Sequence, residues 1–192
     1  MSNGTDFTPD PEEAGRIASH FGPDGPIAAV YAWLDLVRAD DFGSAWVLMD
    51  DNLRLCRAQA WLWNNRSHPD IAALDLDQEA KRIAAVPSTS SLWPDFAITE
   101  LDQLNGTWPH RFKAMEEGRL GAGSATRVLG PDLEVVLLME GTGEVEVFDQ
   151  PTLVPDAFPF AVRMTDHGWR VAAYGDFVPE PGWPPELERP AG

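Results

Sequence analysis

The hydrophobic pattern of the chain changes its period once, and this change limits the possible folds more than any other feature. From Pro26 to about Val86, apolar residues recur at the spacing of amphipathic helices. From about Ala125 to Val178 they alternate with polar residues, and glycine-containing turns separate the runs. Helical sequence followed by a strand meander predicts an α+β fold, in which N-terminal helices pack on a curved antiparallel sheet. Such a cone-like α+β barrel can enclose a pocket.

Three parts are expected along the chain. Residues 1–22 are polar and contain proline, which predicts a flexible N-terminal segment. Residues 23–178 have the length of a single domain that carries both the helices and the sheet. Residues 179–192 are rich in proline and glutamate and predict a loose C-terminal tail.

The net charge limits the possible partners. The chain has 31 acidic and 14 basic residues, a formal net charge of −17, and no Lys/Arg cluster offsets it locally. This field repels phosphate backbones and anionic lipids, so we expect neither nucleic-acid binding nor membrane binding. The charge indicates either solubility alone or the attraction of a cationic ligand or a basic protein.

Several features favour a cytoplasmic protein. Cys56 is the only cysteine, so an intrachain disulfide is impossible and a reducing compartment fits. The N-terminus is acidic and lacks the apolar stretch of a signal peptide, and no run of about 18 apolar residues predicts a membrane span. Arginine greatly outnumbers lysine, which together with many Ala, Gly and Pro residues indicates a GC-rich bacterial genome.

Local signals place the predicted elements. The predicted helices are residues 26–39, a second helix capped by Asp40 or Asp41 and ended by residues 50–52, residues 67–86 and residues 109–117. Residues 52–65 fit either a strand or, as we expect, a helix after a short extended start. Residues 87–108 read as a connection with scattered apolar anchors. The predicted strands are residues 125–129, 133–139, 144–148, 158–165 and 169–174.

Two segments carry a family resemblance. Residues 28–55, AAVYAWLDLVRADDFGSAWVLMDDNLRL, and residues 162–177, VRMTDHGWRVAAYGDF, resemble the opening helices and the final hairpin of the nuclear transport factor 2-like (SnoaL-like) superfamily. The resemblance implies that superfamily's cone fold. It also implies that residues 67–118 are an insert larger than usual, which caps or fills the pocket.

The resemblance does not select one activity, because the superfamily contains isomerases, polyketide cyclases, dehydratases and epoxide hydrolases beside non-catalytic interaction domains. Its enzymes place an Asp or His inside the cone as an acid or base. Residues 52–57, NLRLCR, lack the Asp that isomerase-like members carry there, and an Asp-Arg-Asp relay of the epoxide-hydrolase type is not recognisable. Both departures argue against those two activities.

The last predicted strand carries the candidate catalytic groups. They are Asp176, Tyr174 and Arg170. If these side chains face into the cone, they can transfer protons or anchor a substrate. In the opposite phase of the strand, Trp169 and Val171 fill the interior and the polar groups point to solvent.

A second set comprises candidate ligand-binding residues. They are Tyr31, Trp46, Trp61, Arg57 and His110. The aromatic residues either wall a pocket or belong to a plain core, since both uses fit helical spacing. Arg57 is either an interior cation paired with an acid or exposed, and His110 lies either at the cone mouth or on the surface. The four histidines do not have metal-ligand spacing and no phosphate-binding loop occurs, so we expect neither a metal nor a cofactor.

The sequence therefore predicts a small-molecule-binding protein with an apolar pocket, which catalyses cofactor-independent isomerisation, cyclisation or dehydration if it is an enzyme. The expected partner is a small apolar metabolite. The alternative is a non-catalytic interaction domain whose cone is filled by side chains and whose sheet face forms a homodimer. An open pocket that holds a buried, unpaired carboxylate or histidine favours the first hypothesis, and a filled cone with an exposed apolar sheet face favours the second.

Overall fold

The structure is a computed structural model that describes residues 15, 19–122, 127–140, 157–175 and 179–186. Its helices are α1 Pro26–Arg38, α2 Phe42–Val47, α3 Asp51–Asn64, α4 Pro69–Ala72, α5 Leu76–Ala85, α6 Trp93–Thr107 and α7 Pro109–Glu116. Its strands are β1 Leu120–Ala122, β2 Arg127–Val128, β3 Leu133–Glu140, β4 Ala157–Thr165 and β5 Gly168–Tyr174. Helices precede an antiparallel sheet, so the α+β class is confirmed.

The sheet has the order β1-β3-β4-β5 and all of these pairs are antiparallel. Strand β2 also pairs with β3, at the end opposite to β1. Met49, between α2 and α3, forms a parallel bridge with Val171, so the link between these helices lies beside β5. Ala161 faces Ala173 while the next residue, Val162, faces Val171, which makes Ala172 an extra residue in a β-bulge.

Capping residues explain where the first three helices begin. Pro26 occupies the first position of α1, where its missing N–H costs no hydrogen bond. Asp41 caps α2 by accepting a hydrogen bond from the Ser44 N–H at 3.1 Å. Asp50 caps α3 by accepting one from the Leu53 N–H at 3.0 Å. The predicted bounds of α1 and the predicted start of α2 are therefore confirmed to within a residue, whereas α2 ends at Val47 and not at residues 50–52.

Three sequence predictions for the helical region are wrong. Residues 87–108 contain a 3₁₀ turn, Pro87–Thr89, and the 15-residue helix α6, because Phe96, Glu100 and Leu104 recur every four residues on its buried face. The predicted helix 67–86 is two helices, since Asp75 caps a new helix, α5, after α4 ends. Helix α3 begins at Asp51, so its expected extended start at Asn52 is absent.

The sheet predictions have mixed outcomes. Strands β4 and β5 and the turn between them lie where the alternating pattern predicts them. Strand β3 also agrees, whereas β2 covers only two residues and β1 is not predicted by the pattern. The predicted strand 144–148 lies outside the described residues.

Aromatic side chains fill the space between the helices and the inner face of the sheet. Trp33 of α1 is fully buried, and its ring lies 5.6 Å from that of Trp108 and 6.0 Å from that of Phe160. Trp46 of α2 packs edge-to-face on Phe96 of α6 at 5.1 Å. A buried Trp removes about 150–250 Å² from water, so these rings contribute much of the hydrophobic stabilisation.

Both ends of the described chain contact this domain. His20 is buried, and its Nδ1 lies 2.8 Å from Glu134 Oε2 on β3. At the other end, the Gly182 N–H donates to Gln59 Oε1 of α3 at 3.0 Å. Glu180 and Glu186 form an isolated antiparallel bridge, so this segment folds back on itself beside the helices.

Candidate functional site

The β-bulge at Ala172 determines which residues of β5 face the helices. Val171 is buried in the main core, and Tyr174, three residues later, stacks on Trp33 with ring centroids 5.4 Å apart. In a regular strand, residues three apart point to opposite faces. The extra residue brings both to the inner face, so neither of the two predicted phases holds along the whole strand.

Tyr174 lies beside a buried ion pair that joins α3 to α6. Arg57 Nε donates to Glu100 Oε2 at 2.6 Å, and a second Arg57 nitrogen donates to Gln103 Oε1 at 3.2 Å. The Arg57 guanidinium carbon lies 5.7 Å from the centre of the Tyr174 ring. Arg57, Glu100 and Tyr174 together are called the interior cluster below.

Burial shifts the titration of this cluster. It raises the pKa of Glu100, and the neighbouring Arg57 guanidinium offsets part of that rise. Burial also raises the pKa of Tyr174 to about 12; Arg57 lowers it and Glu100 raises it further. Tyr174 therefore stays a neutral phenol at physiological pH. Burial likewise raises the pKa of Cys56, next to Arg57, to about 12, so this thiol is not a nucleophile.

Two polar groups beside the interior cluster have no hydrogen-bond partner. The Tyr174 hydroxyl is buried, although other atoms of the residue reach solvent, and it lacks a partner. The indole N–H of Trp33, whose ring stacks on Tyr174, is also buried and unpartnered. Roughly 90% of buried polar groups are satisfied in folded proteins, so two neighbouring exceptions need a physical reason.

A second polar site lies where the start of α3 meets the β4–β5 hairpin. It is an open cleft of about 430 Å³, called the arginine cleft here. Its lining residues with ionisable side chains are Asp50, Asp51, Arg54, Arg163, His167 and Arg170. Arg163 and Arg170 face each other directly across the β4–β5 ladder, as their positions on either side of the turn predict.

Asp50 and Asp132 hold Arg163 in place. Arg163 Nε donates to Asp50 Oδ2 at 2.8 Å and another of its nitrogens donates to Asp132 Oδ2 at 2.9 Å. Burial lowers the pKa of Arg163, but the hydrogen bonds and charges of Asp132 and Asp50 raise it by more. Asp50 is itself fixed, since its other oxygen caps α3. Two carboxylates therefore hold the charged Arg163 side chain in place beside the cleft.

One part of the interior, between the helices and the sheet, has little free space. An apolar cavity between α1, α7 and the sheet, lined by residues such as Leu34, Trp108 and Phe158, measures about 10 Å³. A cavity needs a volume of at least about 10–15 Å³ to hold one water molecule. This part of the interior is therefore packed.

The structure separates the predicted catalytic groups. Tyr174 faces the helices, whereas Arg170 lies in the arginine cleft. Asp176 lies outside the described residues. Arg57 lies beside Tyr174 and forms an ion pair with Glu100. Of the two alternatives for Arg57, the structure therefore agrees with the cation paired with an acid.

The other predicted ligand-binding residues do not meet at one place. Trp46 is a core residue whose indole N–H donates to the Ile83 carbonyl at 3.3 Å. Trp61 packs on Phe96 at 5.8 Å, and the Tyr31 hydroxyl donates to the Leu120 carbonyl at 3.4 Å. His110 belongs to α7, and its side chain lies outside the described part of the structure.

Sequence reasoning missed Glu100 and Gln103, because residues 87–108 were interpreted as a connection. The four-residue spacing of Phe96, Glu100 and Leu104 was the signal that could have found the helix. Asp50 was expected to end the second helix. It begins a helix instead and binds an arginine from a distant strand.

Comparisons with models of known protein families, with curated proteins and with solved structures found no match. Among the described residues, no cluster of three or more His, Cys, Asp or Glu side chains is placed to hold a metal ion. None of the described helices is both long enough and apolar enough to cross a bilayer.

Proposed function

We propose that this protein binds a small, largely apolar molecule at the interior cluster. The observation that carries the proposal is the pair of buried, unpartnered groups, the Tyr174 hydroxyl and the Trp33 indole N–H. A carbonyl or hydroxyl oxygen of a ligand would give these donors the acceptor that they lack. The rings of Trp33 and Trp108 beside Tyr174 suit an apolar ligand body.

The same groups suit cofactor-independent acid/base chemistry of the isomerase, cyclase or dehydratase kind. Tyr174 remains protonated, so it can donate a hydrogen bond to an oxygen that gains negative charge. Arg57 and Glu100 set the local charge, since Arg57 lies over the tyrosine ring and Glu100 fixes Arg57. The proposed chemistry is proton transfer next to a polarised ligand oxygen.

The cone-type arrangement and the relationship to the nuclear transport factor 2-like superfamily belong to this proposal. Their support is the order of elements and the packing of α1 against β3, β4 and β5. In that arrangement the interior cluster lies on the concave face of the sheet, where a ligand of a cone-type protein would be enclosed. The expected apolar pocket and apolar metabolite stay predictions.

Tyr174→Phe tests the proposal, because a binding role and a structural role of the hydroxyl predict opposite changes. Removing a buried hydroxyl without a partner should raise the free energy of unfolding by about 1 kcal/mol. Loss of one hydrogen bond should also weaken ligand binding about tenfold. A panel of small apolar ketones and phenols, screened by thermal shift and then calorimetry, supplies the probes.

The chain offers a matched control, since Tyr31 is its only other tyrosine. The Tyr31 hydroxyl already has an acceptor, so Tyr31→Phe should lower stability slightly and leave the affinity for any ligand found unchanged. Unchanged binding by Tyr174→Phe would remove the hydroxyl from the site. Lower stability of Tyr174→Phe would show that the hydroxyl has a structural partner.

The second candidate is a non-catalytic interaction protein that forms a homodimer through its sheet. It is favoured by the packed cavity of about 10 Å³ and by half-buried apolar residues that alternate with buried ones on β3, namely Val135, Leu137 and Met139. Light scattering coupled to gel filtration tests it. A dimeric mass that Leu137→Glu reduces to a monomer supports this candidate, and a monomer of the unchanged protein at high micromolar concentration contradicts it.

A further inference from the structure

We infer that the arginine cleft is a separate binding site for a small oxyanion, a carboxylate or a phosphate group, and that Arg170 binds it. This inference does not depend on the interior cluster. It concerns the outer end of the β4–β5 hairpin, and its groups are all among the described residues.

The arginines of the cleft differ in their ion pairs. Arg163 forms ion pairs with Asp50 and Asp132, and Arg54 forms one with Asp51. Arg170 donates to the neutral carbonyl of Trp169 at 3.0 Å, and no carboxylate of the described residues forms an ion pair with it. Three aspartates thus accompany three arginines, but Arg163 takes two of them, and Arg170 is left without a carboxylate of its own among the described residues.

Arg170 lies directly opposite another arginine. Residues directly opposite on an antiparallel pair have Cβ atoms about 4.5–5.5 Å apart, and like charges there destabilise the sheet. Arg163 and Arg170 are such a pair. Asp50 and Asp132 already offset the charge of Arg163, so the pair is tolerated, and the Arg170 guanidinium can take an external anion as its partner.

A further N–H group of the cleft lacks an acceptor. Arg54 lines the cleft, and its Nε is buried without a hydrogen-bond partner, although its terminal nitrogen binds Asp51. Guanidinium groups bind carboxylates and phosphates through paired N–H donors, which a single-point cation such as lysine does not offer. Arg170 can therefore supply such donors to an anion, while Asp51 holds Arg54 and two aspartates hold Arg163.

The size of the cleft and the charge of the whole chain fit a specific site. About 430 Å³ is within the range of small-ligand sites, which begin at about 300 Å³. A protein with a net charge of −17 repels anions in general. Saturable binding of a small anion would therefore report a local arrangement of cations and not the overall field.

Calorimetric titrations with inorganic phosphate and with succinate, at constant ionic strength in a chloride buffer, test the inference. We expect saturable binding of at least one of them at one site per chain; the preferred anion identifies a phosphate or a carboxylate ligand. Arg170→Gln should weaken this binding about tenfold or more, since it removes a charge-assisted contact. Tyr174→Phe should leave it unchanged, which separates this site from the interior cluster.

Arg66→Gln is the matched control. Like Arg170, Arg66 donates to the carbonyl of a tryptophan, Trp63, but it lies outside the cleft lining. Equal loss of binding in both variants would show that net charge alone causes the loss, and this result would overturn the inference. So would the absence of saturable binding by either anion, or unchanged binding by Arg170→Gln.

Amide NMR spectra of the unchanged protein provide a second measurement that needs no folded variant. Phosphate or succinate should shift the amide signals of the β4–β5 turn, Thr165 to Gly168, in a saturable way. Shifts spread over the whole chain, or shifts that sodium chloride reproduces, would contradict a site in the cleft.

Discussion

The molecule contains the same ion pair, an arginine with a carboxylate, in two surroundings. Arg57–Glu100 joins two helices with a contact of 2.6 Å, and its side chains are 15% and 5% exposed. Arg163–Asp50 joins a strand to a helix start at 2.8 Å, with side chains 29% and 6% exposed. The two contact distances are similar, so any difference between the roles of the two pairs comes from the other partners of their side chains.

Those partners differ in kind. Asp50 also accepts a backbone N–H at the start of α3, and Arg163 also binds Asp132. Glu100 instead relies on Arg57 against a desolvation strong enough to raise its pKa. The interior pair therefore neutralises a charge that is costly to bury, whereas the cleft pair holds a strand, a helix start and a loop in one position.

Among the substitutions that test this comparison, removal of Arg57 should lower the free energy of unfolding most. Arg57→Met leaves Glu100 buried without its cation, and breaking a buried pair costs about 3–5 kcal/mol. The pKa of Glu100 is raised by burial, so its protonated form is favoured in the folded state and stability falls as pH rises. Urea unfolding should therefore show a larger loss at pH 7 than at pH 5.

The exposed pair Arg38–Asp35 gives the control for this prediction. Its contact is 3.1 Å, but both side chains reach solvent, so Arg38→Met should cost less than about 1 kcal/mol at either pH. Adding Glu100→Leu to Arg57→Met should recover much of the loss, because no buried charge remains. A loss for Arg57→Met that does not change with pH would contradict the assignment to Glu100.

The comparison also shows what the sequence could predict. Helices α1 and α2 and the β4–β5 hairpin follow from local signals, such as the cap at Asp41 and the turn before Gly168. The partners of both ion pairs do not, because 43 positions separate Arg57 from Glu100 and 113 separate Asp50 from Arg163. Spacing along the chain carries no information about such contacts.

Tyr174 shows a second reason why the sequence did not predict the site correctly. Its inward orientation depends on one extra residue, Ala172, opposite the junction of Ala161 and Val162. A bulge at an alanine has no distinctive sequence signal, and a shift of one residue reverses the face of every later side chain. Strict alternation therefore predicted Tyr174 and Arg170 on one face, where the structure separates them.

Asp50→Ala should have an intermediate effect, because it removes a helix cap and one of the two carboxylates of Arg163. We expect a loss of about 2 kcal/mol in guanidinium unfolding, the upper part of the range for cap removal. Asp41→Ala is the control, since Asp41 caps the neighbouring helix α2 from an exposed position and pairs with no arginine of the described residues. It should cost about 1 kcal/mol. Equal losses would show that the Arg163 contact adds nothing to the cap.

Arg170→Gln should have the smallest effect on stability. Asp50 and Asp132 already offset the charge of Arg163, so without an anion the substitution should change the free energy of unfolding by less than about 0.5 kcal/mol. Phosphate should stabilise the unchanged protein by an amount that grows with the logarithm of the phosphate concentration above its Kd, but it should not stabilise this variant. Urea unfolding with and without phosphate measures both effects. A loss above about 1 kcal/mol in chloride buffer would show that Arg170, like Arg163, serves the fold and is not left available for a ligand.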